Sequence, residues 1–349
     1  MIATTSLASQ TNIASLYDES ESTRWQQLAA DSITDPAELL NVLGLEPTLL
    51  PAARRAAHSF GLRVPRGFVG RMRHGDPRDP LLLQVLPVGS ELDSDPVFSA
   101  DPVGDLASRT SPGVLHKYEG RALLIATGAC AVHCRYCFRR HFPYANDTAS
   151  LDRWASALDY IRSDSSINEV ILSGGDPLNL SNRRLEELTA GLSDIAHVNR
   201  LRIHTRTAVV LPERIDTAFM RWLNAVQLQK VVVLHTNHAN EIDAEVRAAC
   251  ARIKGCDVTL FNQSVLLAGV NDSVDALACL SESLFASGVL PYYLSLLDRV
   301  AGAAHFDVNE ARGMELLRSL AARLPGYLIP KLVRETAGAQ SKTSISLSL

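Results

Sequence analysis

The chain has 349 residues, of which 46% are hydrophobic and 21% charged. That composition supports a sizeable core and excludes global disorder. A formal net charge of −4 argues against a general nucleic-acid binder, which needs a basic face to meet phosphates.

The first twenty residues, MIATTSLASQTNIASLYDES, hold no Lys or Arg and no continuous apolar run, and a secretory signal needs both. No apolar stretch further on is long enough to span a bilayer. The expectation is a cytoplasmic protein with neither membrane nor nucleic acid as a partner. Residues 1–115 read as a mostly helical region and a connector. WQQLAADSI, DPAELLNVLGL and LEPTLLPAARRAAHSF have helical spacing, with Asp35 an N-cap before Pro36. From Pro77 to Gly104 the chain is rich in Pro, Gly and Asp and reads as irregular, with LLLQVLP a short strand.

From Arg121 the texture changes. Apolar runs recur as RALLIA, EVILSG, RLRIHT, KVVVLHT, DVTLFNQSV and LPYYLSLL. Helical stretches such as DRWASALDYIRS and NRRLEELTAGLSDI lie between them. Strands alternating with helices predict parallel βαβ units. Six units are too few for a closed eight-stranded barrel. The predicted fold is therefore α/β, a partial (β/α)6 TIM-like barrel over residues 116–330. The N-terminal helical region is expected to cover its open side. A doubly wound sheet is the alternative. Either way, reactive groups belong at the C-terminal ends of the strands. Residues 331–349 form a small, polar, loop-like tail.

Six cysteines are present, and three of them, Cys130, Cys134 and Cys137, crowd into GACAVHCRYCFRRHFPY directly after the first barrel strand. Cys250, Cys256 and Cys279 are scattered and read as inert thiols. Structural zinc usually takes four ligands in paired halves. Three thiolates can instead hold three irons of a [4Fe–4S] cluster and leave the fourth iron open. His133 or His141 as a fourth ligand keeps a zinc reading alive.

C-x3-C-x2-C after the first strand of such an array resembles the radical S-adenosylmethionine superfamily. Ser173-Gly174-Gly175-Asp176, at the end of the second strand, resembles that superfamily's GGE/GGD motif. The resemblance implies that the backbone of this turn and Asp176 hold the methionine amino group, with glycines allowing close backbone approach. CRYCFRRHFPY, SGGDPL, RIHTR, NHANEID, NQSVLLAGVND and GYLIPKL…SKT together resemble the lysine 2,3-aminomutase family, from about His116 to Thr343. LHKYEGRALLIATGACAVHCRYCFRRHFPY and LPYYLSLLDRVAGAAHF resemble its shorter bacterial branch, which makes (R)-β-lysine for elongation factor P.

That resemblance implies an isomerase using a [4Fe–4S] cluster, S-adenosylmethionine and pyridoxal 5′-phosphate. Its substrate is L-lysine and its reductant a flavodoxin or ferredoxin. A functional link to elongation factor P and its ligase follows, and a homo-oligomer is allowed. Five lysines are present: Lys117, Lys230, Lys254, Lys331 and Lys342. Lys342, in AGAQSKT, falls on the family's pyridoxal-bearing position. Arg139 matches the grip on the substrate carboxylate, a task suited to a guanidinium fork. Asp298 and Glu335 match the two acids that hold the far ammonium. Asn262, Gln263, Lys117 and Arg121 match positions near the cofactor phosphate. Ser295 stands where longer aminomutases carry a tyrosine on the pyridine ring. His204, His235 and His238 are expected at strand ends facing the site.

Three functions are open at this stage. One is β-lysine synthesis for elongation factor P. Another is a metabolic aminomutase releasing free β-lysine. The third is a non-enzymatic cluster-binding protein. The chain runs only seven residues past Lys342, whereas the longer metabolic enzymes carry an extra C-terminal segment, so the first is favoured.

Overall fold

A computed structural model describes residues 19–144 and 151–346; the signal-peptide reading of the N-terminus and the last three residues of the tail lie outside them. Ten strands form one sheet in chain order. They are β1 Arg109–Ser111, β2 Val114–Tyr118, β3 Arg121–Thr127, β4 Glu169–Gly174, β5 Arg200–Thr205, β6 Gln229–His235, β7 Val258–Val265, β8 Leu290–Ser295, β9 Lys331–Arg334 and β10 Thr343–Ser344. β3 to β9 run parallel, each paired with the next. The first six of these are the predicted strands. The sheet does not close on itself, so the partial TIM-like barrel is the architecture.

Three features differ from the sequence reading. An antiparallel hairpin, β1–β2, adds to the leading edge of β3. A seventh parallel strand, β9, follows Pro330, because Leu332 and Val333 are apolar enough to be buried there, and β10 folds back on it. LLLQVLP is not a strand: Pro80–Leu83 is a short helix, because the Asp79 carboxylate accepts from Leu81 N and Leu82 N ahead of Pro80 at N1. Asp35 does cap its helix, accepting from Ala37 N at 2.9 Å.

Alternation along the strands divides core from cavity. In β5, Leu201 and Ile203 are buried outward, while Arg200, Arg202 and His204 face in. The outward side packs on helices Asn182–Ser193 and Thr217–Ala225 through Leu185, Leu188, Leu192, Phe219 and Trp222. Each such fully buried side chain contributes about 1.5–3 kcal/mol. The N-terminal helices have their own core of Trp25, Leu39, Phe68 and Leu82, which includes Ala131, Val132, Val210 and Leu211. That region therefore sits on the cysteine loop. Lys117 and Tyr118 of the hairpin and Ser341 and Lys342 of the tail line the space that the sheet curls around.

Candidate active site

The curled sheet encloses a cavity of about 940 Å³. At its top, the loop after β3 brings Cys130, Cys134 and Cys137 to the cavity wall, half-buried and unbridged. The loop is held from the N-terminal region. Arg135, fully buried, donates to both oxygens of Glu91, at 2.8 and 2.5 Å, and to the Phe60 carbonyl. Arg140 donates to the same Glu91 at 2.8 Å. Both guanidiniums stack on the Phe60 ring, at 4.9 and 4.6 Å.

Burial pushes all three thiols upward, Cys137 to about 11. Mutual repulsion adds to this, so together they ionise only against cations such as bound metal. Among the described residues no three His, Cys, Asp or Glu side chains converge on one ion. His133 Nδ1 bonds the Gly61 carbonyl and His141 Nε2 the Ala301 carbonyl. Among the described residues no imidazole joins the thiols in a four-ligand set of the kind structural zinc takes, whereas a cluster takes each thiolate on a separate iron.

The SGGD turn lies against that loop. Gly175 N donates to Thr127 O at 2.7 Å and Asp176 N to Ala129 O at 2.8 Å. A Cβ on Gly174 would stand 2.5 Å from Thr127 O, and one on Gly175 2.4 Å from Ala129 O. The glycines are thus required first by the approach of two backbones. The Asp176 carboxylate is committed: it accepts from Leu178 N, Thr205 Oγ1, Arg206 N and Thr207 N at 2.7–3.0 Å. This corrects the expectation that Asp176 itself holds an amino group, since those donors fill its lone pairs. Beside it, Tyr144 donates to the Gly174 carbonyl at 2.7 Å.

Across the cavity runs a chain of alternating charge. Arg139 Nε meets Asp105 Oδ2 at 2.6 Å, and its Nη1 donates to Ser173 Oγ at 3.1 Å. Asp105 Oδ1 meets Lys117 Nζ at 2.6 Å. Lys117 also reaches Glu335 Oε1 at 3.1 Å, and Lys342 Nζ lies 2.6 Å from Glu335 Oε2. The two lysines hold the Glu335 carboxyl down at about 2 against the upward push of burial. Asp298 lines the same cavity, its carboxylate makes no hydrogen bond or ion pair among the described residues, and burial raises it to about 7.

Other expectations divide. Arg121 lines the cavity, stacked on Tyr118 at 4.6 Å. Gln263 lines it too, but Asn262 does not: its Nδ2 donates to Thr236 O and Ser264 Oγ on the outer face of β7. Asn262 is therefore withdrawn from the phosphate set, because neighbouring strand residues point oppositely. Lys117 lines the cavity but is spent on two acids and the Val103 carbonyl, which withdraws it as a free phosphate donor. His204 and His235 face in; His238 instead caps the turn at Ala239–Glu241. Ser295 faces in, and a bulge opposite Asn262/Gln263 turns both Tyr292 and Tyr293 inward, stacked at 3.7 Å. Sequence reasoning missed Asp105, Tyr144 and Arg202. Arg202 alone carried a signal, sharing the inward parity of His204 in RLRIHT.

Residues 124–273 match the Radical SAM superfamily. An L-lysine 2,3-aminomutase of Escherichia coli is 48% identical over 326 residues, covering 93% of this chain and 95% of that protein. One of Haemophilus influenzae is 45% identical over 323 residues, covering 93% and 96%. One of Clostridium subterminale is 33% identical over 331 residues, covering 92% of this chain and 77% of that protein.

Proposed function

The chain belongs to the lysine 2,3-aminomutase family of radical S-adenosylmethionine enzymes, and from that premise we propose that it uses pyridoxal phosphate on Lys342 to convert L-lysine to (R)-β-lysine, which serves to modify elongation factor P. The observation that carries this is one cavity bounded by the three cysteines, the SGGD turn, Lys342 and two acids.

The residues fit the groups the family requires. Cys130, Cys134 and Cys137 would hold the cluster, and the Ser173–Gly175 backbone the methionine end of its co-substrate. Arg202 pairs with Glu169 through Nη2, but its Nε, like His204 Nε2, is buried without a partner among the described residues, on residues that line the cavity. Such atoms call for a polar ligand. Arg121, Arg202 and Gln263 suit a phosphate, and Tyr118, Tyr292 and Tyr293 a flat ring. The two tyrosines of the β8 bulge fill the part Ser295 leaves open. When bound, these groups supply a hydrogen-abstracting radical and a π-system for nitrogen transfer.

The chain's own residues bind and orient. Arg139, fixed by Asp105 and Ser173, presents its guanidinium to the substrate carboxylate. Asp298 and Glu335 suit a cationic tail and disfavour an acidic one. Burial keeps His235 neutral, down at about 3, so it stays a hydrogen-bonding group stacked on Tyr136. The cavity wall keeps water from a reactive radical.

The elongation factor P role is favoured by the motif wording of the shorter branch. The test has two arms. Anaerobically reconstituted protein is given L-lysine and the product resolved by chiral chromatography, and (R)-β-lysine is expected. Cells lacking the gene are examined for the β-lysyl mass on elongation factor P, which is expected to vanish. If it persists while free β-lysine falls, the metabolic role replaces this one.

A further inference from the structure

Resting on the aminomutase reading above, the geometry points to one carboxylate oxygen serving two ammonium groups in turn. Glu335 Oε2 holds Lys342 Nζ until that lysine bonds the cofactor, and then takes the far ammonium of the incoming substrate; when the uncharged substrate α-amine later replaces Lys342 on the aldehyde carbon, the proton stays on the new imine and Lys342 leaves as an uncharged amine with no ionic claim on that oxygen. Lys342 is thus an internal stand-in for substrate, and cofactor attachment opens the specificity pocket.

The pairing itself is the observation. Lys342 Nζ lies 2.6 Å from Oε2, and the other oxygen is taken by Lys117 at 3.1 Å. The Lys342 and Glu335 side chains are only 26% and 15% exposed, so neither charge is well screened by solvent. A lysine ammonium resting on this oxygen is chemically what the tail of a bound lysine offers. Two ammonium groups on one oxygen would repel at short range in a poorly screened place. The two occupants are therefore mutually exclusive. The Asp298 carboxylate, beside them and without a partner among the described residues, cannot distinguish the two states by itself.

Attachment removes the first occupant without changing the charge count. The Lys342 nitrogen forms a double bond to the aldehyde carbon of pyridoxal phosphate as the carbon–oxygen bond breaks. Two ammonium hydrogens leave with the oxygen as water and the third stays on nitrogen. What changes is position: Nζ is drawn off Glu335, and Oε2 is left facing the cavity beside Asp298. Lysine admitted before attachment meets a filled pocket; lysine admitted afterwards meets an open one. The device imposes an order of loading.

The test uses the full chain carrying its cluster but stripped of pyridoxal phosphate. Equilibrium dialysis measures binding of L-lysine and of norleucine, which has the same carboxylate end and no far ammonium. Lys342→Met is expected to bind L-lysine about tenfold more tightly than the parent, as a partly buried ion-pair site is vacated. Norleucine is expected to bind both alike. Adding Glu335→Gln to Lys342→Met is expected to erase the gain. Equal L-lysine binding by parent and Lys342→Met overturns the proposal, as does a gain that survives Glu335→Gln. Lys342→Gln gives the same comparison if Lys342→Met does not fold. If the aminomutase reading itself fails, neither protein binds L-lysine and cofactor-loaded parent makes no β-lysine. If only the exchange fails, loaded parent still makes β-lysine while both stripped proteins bind L-lysine equally.

Discussion

Asp298 and Glu335 are neighbours in one cavity with opposite fates. Glu335 has two lysines and stays ionised down to about 2; the Asp298 carboxylate has no partner among the described residues and is raised by burial to about 7. A cationic tail is attracted only to the ionised form, so lysine binding and Asp298 protonation compete. The KM for L-lysine is therefore expected to rise as pH falls below about 7, approaching tenfold per unit. Asp298→Asn is expected to raise KM by about a hundredfold or more and to flatten that pH profile, because one partner of a desolvated pair is gone. A profile unchanged in Asp298→Asn would remove Asp298 from the substrate site. The linked stability effect has the opposite sign. Raising an acid's pKa on folding costs stability increasingly as pH climbs from 3.8 towards 7, so Asp298→Asn is expected to melt higher than the parent at neutral pH. At the same scale, Gly175→Ala places a Cβ 2.4 Å from Ala129 O, and backbone on both sides leaves no room to yield. Its cleavage of S-adenosylmethionine is expected to fall by at least about a hundredfold, read as 5′-deoxyadenosine formed.

Between the N-terminal helices and the cysteine loop, the connection is ionic. Glu91 sits in a short 3-10 turn, Gly89–Leu92, and meets Arg135 and Arg140 on either side of Cys137. Glu91→Gln leaves two buried guanidiniums without a counter-charge, which costs about 3–5 kcal/mol. Iron retained per chain after anaerobic purification is expected to drop together with the melting temperature, while Glu91→Asp keeps more of both. Full iron in Glu91→Gln would show that the loop holds its shape unaided. This contact also marks the limit of what the sequence could tell. RALLIA, EVILSG and RLRIHT announced their strands because alternation and β-branched residues are local signals. Cys130, Cys134, Cys137 and the SGGD turn were legible because chemistry demands them at close spacing. Glu91 and Asp105 lie in a stretch written in turn residues, and their partners are 44 and 34 positions away; no local pattern encodes such a pairing. LLLQVLP was misread because its apolar run outweighed the Asp79–Pro80 helix start. Asn262 and Gln263 could not be told apart until the register of β7 was known.

In the whole molecule, seven parallel strands stop short of closure, and the two sheet edges are joined across the gap by side chains. Lys117 on β2 bridges to Glu335 just past β9, with Asp105 behind it. Lys117→Met is expected to destabilise the fold by about 3–5 kcal/mol, since two buried acids lose a cation; thermal melting at low and high salt reads it, with the parent the more salt-sensitive of the two. The depressed Glu335 carboxyl adds stability that is complete above its usual 4.5 and is lost as pH falls towards 2, so acid should loosen this join. A sheet closed by ladder hydrogen bonds offers no such place, because parting any two strands would break a row of them. Here the join is made by side-chain ion pairs, Lys117 with Asp105 and Glu335 and Glu335 with Lys342, so the gap between the parallel strands is a seam whose strength answers to salt and acid.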